Sequence, residues 1–428
     1  MSKLTEIKNE RLHEKYYSID HDSGLKILVL PKEKFKSTYA IIGTRYGSID
    51  TDFRLAGEEA FTHVPEGIAH YLEHKLFESE DLDAFQRYAK TGASANAYTS
   101  FDKTCYLFSC TENFKASLEI LLDFVTHPYF TPETVQKEQG IIGQEIKMCQ
   151  DDPDWETLFL LLRSMYKAHP VRVDIAGTVE SIRDITADLL YTCYNTFYNF
   201  SNMVLCVVGN VTPEDVLEVA DRVLVPARSV SIERKWCREP SAVCTPYAEK
   251  HLPVAAPIFS LGFKEEIASP ERSLSEILLS NMLLEIIAGK TSPLYNTLLE
   301  DGLLNTSFYT EYFCGYGYAA SIFTGETPNA KEVQKRIVER IHALQKTGIK
   351  EADFLRIQKK FYGRAVMELN DIESLANNMV AAHFCGEGPF DEIAVLERLT
   401  LDDLNQRLRS ALNTENCALT VIQPEESL

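Results

Sequence analysis

His70-Tyr71-Leu72-Glu73-His74 is the stretch on which the reading of this chain turns. On a helix, residues four apart share one face about one turn from each other, so His70 and His74 present two imidazoles side by side. Two nitrogens so placed suit a single zinc ion. Glu73 falls on the same side, near enough to a metal to take a proton from bound water. The flanks support a helix. Pro65-Glu66-Gly67 ends a loop, and Ile68, Ala69, Leu72, Leu76 and Phe77 form an apolar stripe at helical spacing. A lone histidine on such a helix reads as a satisfied core residue. Two at ligand spacing, with an acid between them, point to a metal site.

A catalytic zinc takes three protein groups and keeps one position for water, so a third ligand is required. Thr131-Pro132-Glu133 has the capping threonine and first-turn proline of a helix start. The helix it opens runs through Val135, Ile141, Ile142, Ile146 and Met148 and carries Glu138 and Glu145. Seven residues make nearly two turns, which puts the two acids on one face but roughly 10 Å apart along the axis. Only one of them can reach a metal held by His70 and His74. The other would orient a ligand or the substrate. Two solvated acids on an ordinary helix face are the plainer alternative.

At this point the chain resembles a known family. H-x-x-E-H reverses the H-E-x-x-H order of other zinc peptidases and is the mark of the inverted ones, the inverzincins. Followed some seventy residues on by E-x6-E, it is similar to the pitrilysin family. The nearest wording is that of the short-chain branch that includes mitochondrial processing peptidase, and within it a bacterial YmfH-like subgroup. The resemblance is carried by Glu66-Gly67-Ile68-Ala69-His70-Tyr71-Leu72-Glu73-His74-Lys75-Leu76-Phe77, by Gly92-Ala93-Ser94-Ala95-Asn96-Ala97-Tyr98-Thr99, and by Glu138-Gln139-Gly140-Ile141-Ile142-Gly143-Gln144-Glu145. It implies Zn2+ as cofactor, Glu145 as the third ligand beside His70 and His74, and Glu138 as a supporting catalytic acid. Zinc lowers the pKa of its water and polarises the scissile carbonyl. Glu73 would take the water's proton and later hand it to the leaving amine.

The stretch from Ala93 to Ser100 is small, polar and β-prone, and Lys103 to Cys110 reads as the next strand. In similar proteins the first of these is an edge strand to which the peptide substrate adds itself. That implies substrate contacts at Ala95, Asn96, Ala97 and Tyr98, with backbone pairing that makes little demand on sequence. An ordinary hairpin beside the core is the alternative.

At 428 residues the chain can bury two substantial cores. The two halves show the same order of elements. Strands are expected at Leu25–Leu30 and Thr38–Arg45, near 94–100 and 103–109, and at Met203–Val208. Helices are expected over Asn113–Val125 and Thr131–Met148, near 155–166 and 178–197, and from Thr212-Pro213 to about Val223. The second half repeats the scheme. A strand at Pro257–Phe263 and a helix at Leu274–Ala288 lead to strands near 306–313 and 317–324. Helices near 329–346, 350–369, 373–384 and 401–412 precede a final strand at Ala418–Ile422. Pro226, Ser229, Ser231, Pro240 and Pro246 mixed with charges suit a linker. The expectation is thus an α+β fold of two similar domains, 1–225 with the metal site and 251–428 without it, joined by 226–250. Each is expected to be a mainly antiparallel sheet covered by helices, and the family implies that the pair forms half of a clamshell chamber.

The second half departs from the family. Its helix reads Ser280-Asn281-Met282-Leu283-Leu284-Glu285-Ile286-Ile287, with no histidine. Many relatives bind substrate with an arginine and a tyrosine around a Gly-Leu pair. Aligning on Gly302-Leu303 puts Leu298 and Asn305 at those places, with Tyr295, Tyr309 and Tyr312 near but out of register. Other members split the task between subunits. The expectation is therefore a heterodimer, in preference to a homodimer, in which a homologous partner supplies the arginine–tyrosine pair.

A net charge of −20 argues against nucleic acid, which a basic protein binds by displacing counterions. No stretch approaches the length of a membrane span. The first thirty residues lack the apolar core of a signal peptide, and ten scattered cysteines without a C-x-x-C suit free thiols in a reducing cytosol. The sequence therefore reads as a cytoplasmic zinc endopeptidase, or subunit of one, acting on short or unfolded peptides inside a closed chamber. The competing reading is a non-catalytic peptide-binding or scaffold subunit.

Overall fold

A computed structural model of the chain describes residues 2–267 and 269–425. Its strands are β1 (Lys3–Asn9), β2 (Glu14–Asp20), β3 (Lys26–Pro31), β4 (Thr38–Thr44), β5 (Asp52–Leu55), β6 (Thr62–His63), β7 (Ser94–Thr99), β8 (Thr104–Cys110), β9 (Met203–Gly209), β10 (Ile232–Arg234), β11 (Tyr247–Leu252), β12 (Ile258–Lys264), β13 (Tyr309–Gly315), β14 (Tyr318–Glu326) and β15 (Cys417–Pro424).

Two compact units form. The first contains the chain up to Ile146, Asp174–Lys235 and Met367–Asp391; the second contains Lys147–Val173, Trp236–Val366 and the chain from Glu392 onward. The units interleave along the chain, where the sequence suggested two continuous blocks. Residues 226–250, read as a linker, carry β10, which pairs with β5, and part of β11, which pairs with β15.

In the first unit a seven-stranded sheet runs β1-β2-β3-β9-β4-β8-β7, with β3 and β9 parallel and every other pair antiparallel. The central strands β4 (Thr-Tyr-Ala-Ile-Ile-Gly-Thr) and β9 (Met-Val-Leu-Cys-Val-Val-Gly) are buried at every position. Such continuous apolar runs belong to strands covered on both faces. One cover is the helix Ile372–Phe384, from late in the sequence, which packs across β4 and β9. Gly43 admits it, because a Cβ there would stand 2.8 Å from Val380. A small sheet, β10-β5-β6, belongs to the same unit.

The second unit holds a five-stranded sheet, β11-β15-β12-β14-β13, with β11 and β15 parallel and every other pair antiparallel. Strand for strand this repeats β3-β9-β4-β8-β7. The helix Pro153–Met165 packs across β11, β15 and β12. The two domains are thus similar α+β structures. The helical stretch expected near 178–197 is broken: a short 3-10 turn covers Ser181–Asp184, and Thr186 then caps the helix Ala187–Phe197 by accepting from the Leu189 N–H. Among the described residues no helix is long and apolar enough to cross a membrane.

Candidate metal centre

The helix Ile68–Leu76 carries His70 and His74, and its residues Ile68, Ala69, Tyr71, Leu72 and Leu76 are buried in the core of the first unit. Gly67 starts it at φ +87, and a Cβ there would stand 2.3 Å from the Ala176 carbonyl oxygen. Only glycine fits that entry, so the chain is held against residues 176–177 just where the first histidine follows. The second helix, Pro132–Asp151, starts as its sequence demands, with the Thr131 hydroxyl accepting from the Thr134 N–H at 3.3 Å. The Tyr71 hydroxyl, buried, donates to the Val135 carbonyl and ties the two helices together.

Across the two helices His70, His74 and Glu145 come together, one ligand atom from each lying within 4.8 Å of the others. Nε2 of His70 is 3.5 Å from Glu145 Oε1, and Nε2 of His74 is 3.4 Å from Glu145 Oε2. Such gaps are long for hydrogen bonds and leave room for an ion among the three side chains. Two imidazole nitrogens and a carboxylate oxygen also fit zinc chemically. Glu138 is placed differently. Its Oε1 lies 3.1 Å from Nδ1 of His74, the other ring nitrogen, which leaves Nε2 facing Glu145. A carboxylate behind a ligating histidine sets its tautomer and raises its basicity. His70 has no such support: its Nδ1 is buried without a partner.

Glu73 is buried, and the Thr99 hydroxyl donates to its Oε2 at 2.6 Å. Burial pushes its carboxyl up, against the pull of His70 and the Thr99 bond. Burial alone would depress the His74 imidazolium, but the bond to Glu138 and the charges of Glu73 and Glu145 outweigh it and hold the group above its usual value. The nearness of His70, and then the charge of His74, holds the Glu145 carboxyl low against its burial. Among the described residues no lysine or arginine pairs with these three acids. The centre is short of positive charge.

The expected substrate strand is β7, and it is the outer strand of its sheet. Asn96 and Ala97 line a cavity of about 630 Å3 together with Glu73, His74 and Glu138. Ala95 lies against the core, and the Tyr98 hydroxyl donates to Asn377 at 2.8 Å, away from the histidines. Phe77, Phe85, Tyr129 and Ile141 give the cavity an apolar side that the sequence reading did not assemble. Phe77 stood within the quoted motif run, but Phe85 and Tyr129 carry no local signal of their own. Thr99 likewise closed a quoted run without being singled out.

In the second unit, Leu298 is fully buried and Asn305 bonds Ser307 and Glu326. An arginine and a tyrosine do meet there, Arg407 donating to the Tyr312 hydroxyl at 2.7 Å. Both are buried, and the same guanidinium bonds both oxygens of Glu265.

Residues 61–179 match the family model described as insulinase, peptidase family M16, and residues 184–361 match the one described as peptidase M16 inactive domain. The chain is 40% identical over 425 residues to a Bacillus subtilis protein named as an uncharacterized zinc protease, YmfH, covering 98% of this chain and 99% of that one. A second Bacillus subtilis zinc protease, YmxG, is 26% identical over 377 residues, 85% of this chain and 89% of the other. A crystal structure of an M16-like peptidase from Alicyclobacillus acidocaldarius superposes with a TM-score of 0.90 at 35% identity, covering 99% of both chains. A Helicobacter pylori protease shares the fold at 20% identity, with a TM-score of 0.80 over 99% of this chain and 100% of that one. The chain belongs to peptidase family M16, the pitrilysin-type zinc proteases, and is YmfH-like within it.

Proposed function

We propose that the chain is a zinc metallo-endopeptidase that hydrolyses short or unfolded peptides inside a closed chamber. The observation that carries this reading is the convergence of His70, His74 and Glu145 within 4.8 Å, with the acid Glu73 beside them. His70 and His74 through Nε2, and Glu145 through one carboxylate oxygen, would hold the ion. When bound, zinc supplies an activated water and a polarised scissile carbonyl. Glu138 keeps the His74 ring turned so that its Nε2 faces the ion. Glu73 accepts the proton from water and returns it to the departing amine. The outer edge of β7 pairs with the peptide backbone, and the cavity beside Asn96 and Ala97 receives a side chain. Structural zinc sites are closed by four protein ligands, commonly rich in cysteine, whereas three ligands with an adjoining acid leave a position for water.

The chain acts with a homologous partner that supplies the arginine–tyrosine pair. This extension is supported by the buried Leu298, by Asn305 and by the internal use of Arg407 and Tyr312. The test is hydrolysis of unfolded peptides by wild type and Glu73→Gln, with metal measured in both. Zinc in both with turnover in wild type alone is the expected result. Equal turnover in the two would remove Glu73 from its role. Zinc without turnover in any partnered form would favour the scaffold reading. Full activity of the isolated chain would overturn the need for a partner.

A further inference from the structure

We infer that Thr99 is a positioning residue for Glu73, holding one carboxylate oxygen so that the other faces the reacting water. The inference rests on the peptidase reading above and deepens it. A threonine hydroxyl has one proton to give, and the surrounding bonds decide where it goes. In the β7–β8 ladder Thr99 stands opposite Thr104. Thr104 is fully buried and donates to the Tyr46 carbonyl at 2.9 Å, so its proton is committed. The Thr99 hydroxyl lies 2.6 Å from Glu73 Oε2 and 3.3 Å from the Thr104 oxygen. The shorter, charge-assisted contact takes the proton. Oε2 is thereby anchored, which sets the direction in which Oε1 is presented as the base.

The donor is held firmly. Thr99 ends β7 at a tight turn closed by the Ser100 N–H on the Lys103 carbonyl at 2.8 Å. The turn is fastened in turn to the loop before β5, where the Ser48 and Ile49 N–H groups donate to the Ser100 and Phe101 carbonyls. Gly47 allows that approach, since a Cβ would stand 2.4 Å from the Phe101–Asp102 backbone. Asp50 accepts from the Gly47 N–H at 2.9 Å and from Arg234 at 2.5 Å. Glu73 rides on one rigid element and its donor on another, the arrangement that keeps a catalytic group aligned. In the reaction, one water O–H bond breaks and the proton goes to Oε1, while the electron pair stays on the oxygen that bonds the carbonyl carbon. The proton then passes from Oε1 to the nitrogen as the C–N bond breaks.

The test compares the full chain with Thr99→Val, which keeps the branched shape, and Thr99→Ser, which keeps the hydroxyl. Thr99→Ala serves as a second hydroxyl-free form if the valine variant does not fold. Zinc content should be the same in all. In crystals, the Glu73 carboxylate should leave its place in Thr99→Val and keep it in Thr99→Ser. With peptide, kcat should fall about tenfold to a hundredfold in Thr99→Val with KM little changed, and recover in Thr99→Ser. A Glu73 carboxylate unmoved in the hydroxyl-free forms overturns the inference whether or not the protein turns over. So does an unchanged kcat. Loss of hydrolysis in wild type as well would count against the peptidase reading instead, with the crystallographic result still judging the Thr99 contact.

Discussion

The two units use one strand arrangement for opposite electrostatic ends. In the first, the helix Ile68–Leu76 places His70 and His74 beside Glu145, with Glu73 next to them and Glu138 behind His74. In the second, the helix between β12 and β13 (Leu274–Ala288) offers Ser280, whose hydroxyl accepts from Arg407 at 2.8 Å. There Glu265 is bonded by Arg407 at 2.7 Å and by Arg272 at 3.1 Å, so a buried acid is closed off by two cations. The first centre has acids in excess and only imidazoles to offset them. The second pairs its buried acid with two guanidinium groups. A site built for an ion is legible as charge the protein leaves uncompensated, and a structural cluster as charge it balances.

That contrast can be broken at several points. The largest effect belongs to Glu73→Gln, which should retain zinc while kcat drops by about 10²–10⁴-fold in a peptide assay. Breaking the balanced cluster with Glu265→Gln should cost about 3–5 kcal/mol of stability in denaturant titrations and leave zinc content untouched. If it removed zinc, the two centres would not be independent. Glu138→Gln weakens the hold on His74, and competition with a chelator should show zinc affinity lower by about 10–100-fold. Gly67→Ala places a side chain at positive φ against the Ala176 carbonyl and should destabilise by about 1–3 kcal/mol, seen as a lower Tm.

The smallest effect is the dependence on pH. In the zinc-free protein the His74 imidazolium is held above its ordinary 6.5. Its stabilising contribution is therefore full below that value and is lost as pH rises through the higher folded value. Zinc needs the ring neutral, so zinc affinity moves the other way, gaining up to about tenfold per pH unit for each proton displaced. Calorimetry across this range should find the zinc-free Tm contribution falling while the gain from zinc rises. Parallel trends would mean that His74 does not ligate.

Much of this was readable in advance, for identifiable reasons. β4, β9 and the histidine helix have clear apolar patterns, and the caps at Thr131 and Thr212 mark the starts of the helices Pro132–Asp151 and Pro213–Val223. The charged, largely exposed β1 gave no pattern of burial to detect, and the hairpin it forms with β2 was not foreseen. β11, Tyr-Ala-Glu-Lys-His-Leu, alternates in burial in a way that its charged residues and the prolines on either side, Pro246 and Pro253, hid. The exchange of Met367–Asp391 into the first unit depends on contacts far apart in sequence, such as Val380 over Gly43, which no local period encodes. Within the site, helical spacing together with the apolar flanks pointed to His70, Glu73 and His74. The choice of Glu145 over Glu138 as ligand needed family resemblance, because helical spacing says that one acid reaches and not which.

The most direct test of the account is zinc stoichiometry by elemental analysis, comparing the purified wild-type chain with Glu145→Gln. About one zinc per wild-type chain, held more weakly in the variant, is what the account predicts. A folded wild-type chain that holds no zinc would contradict it.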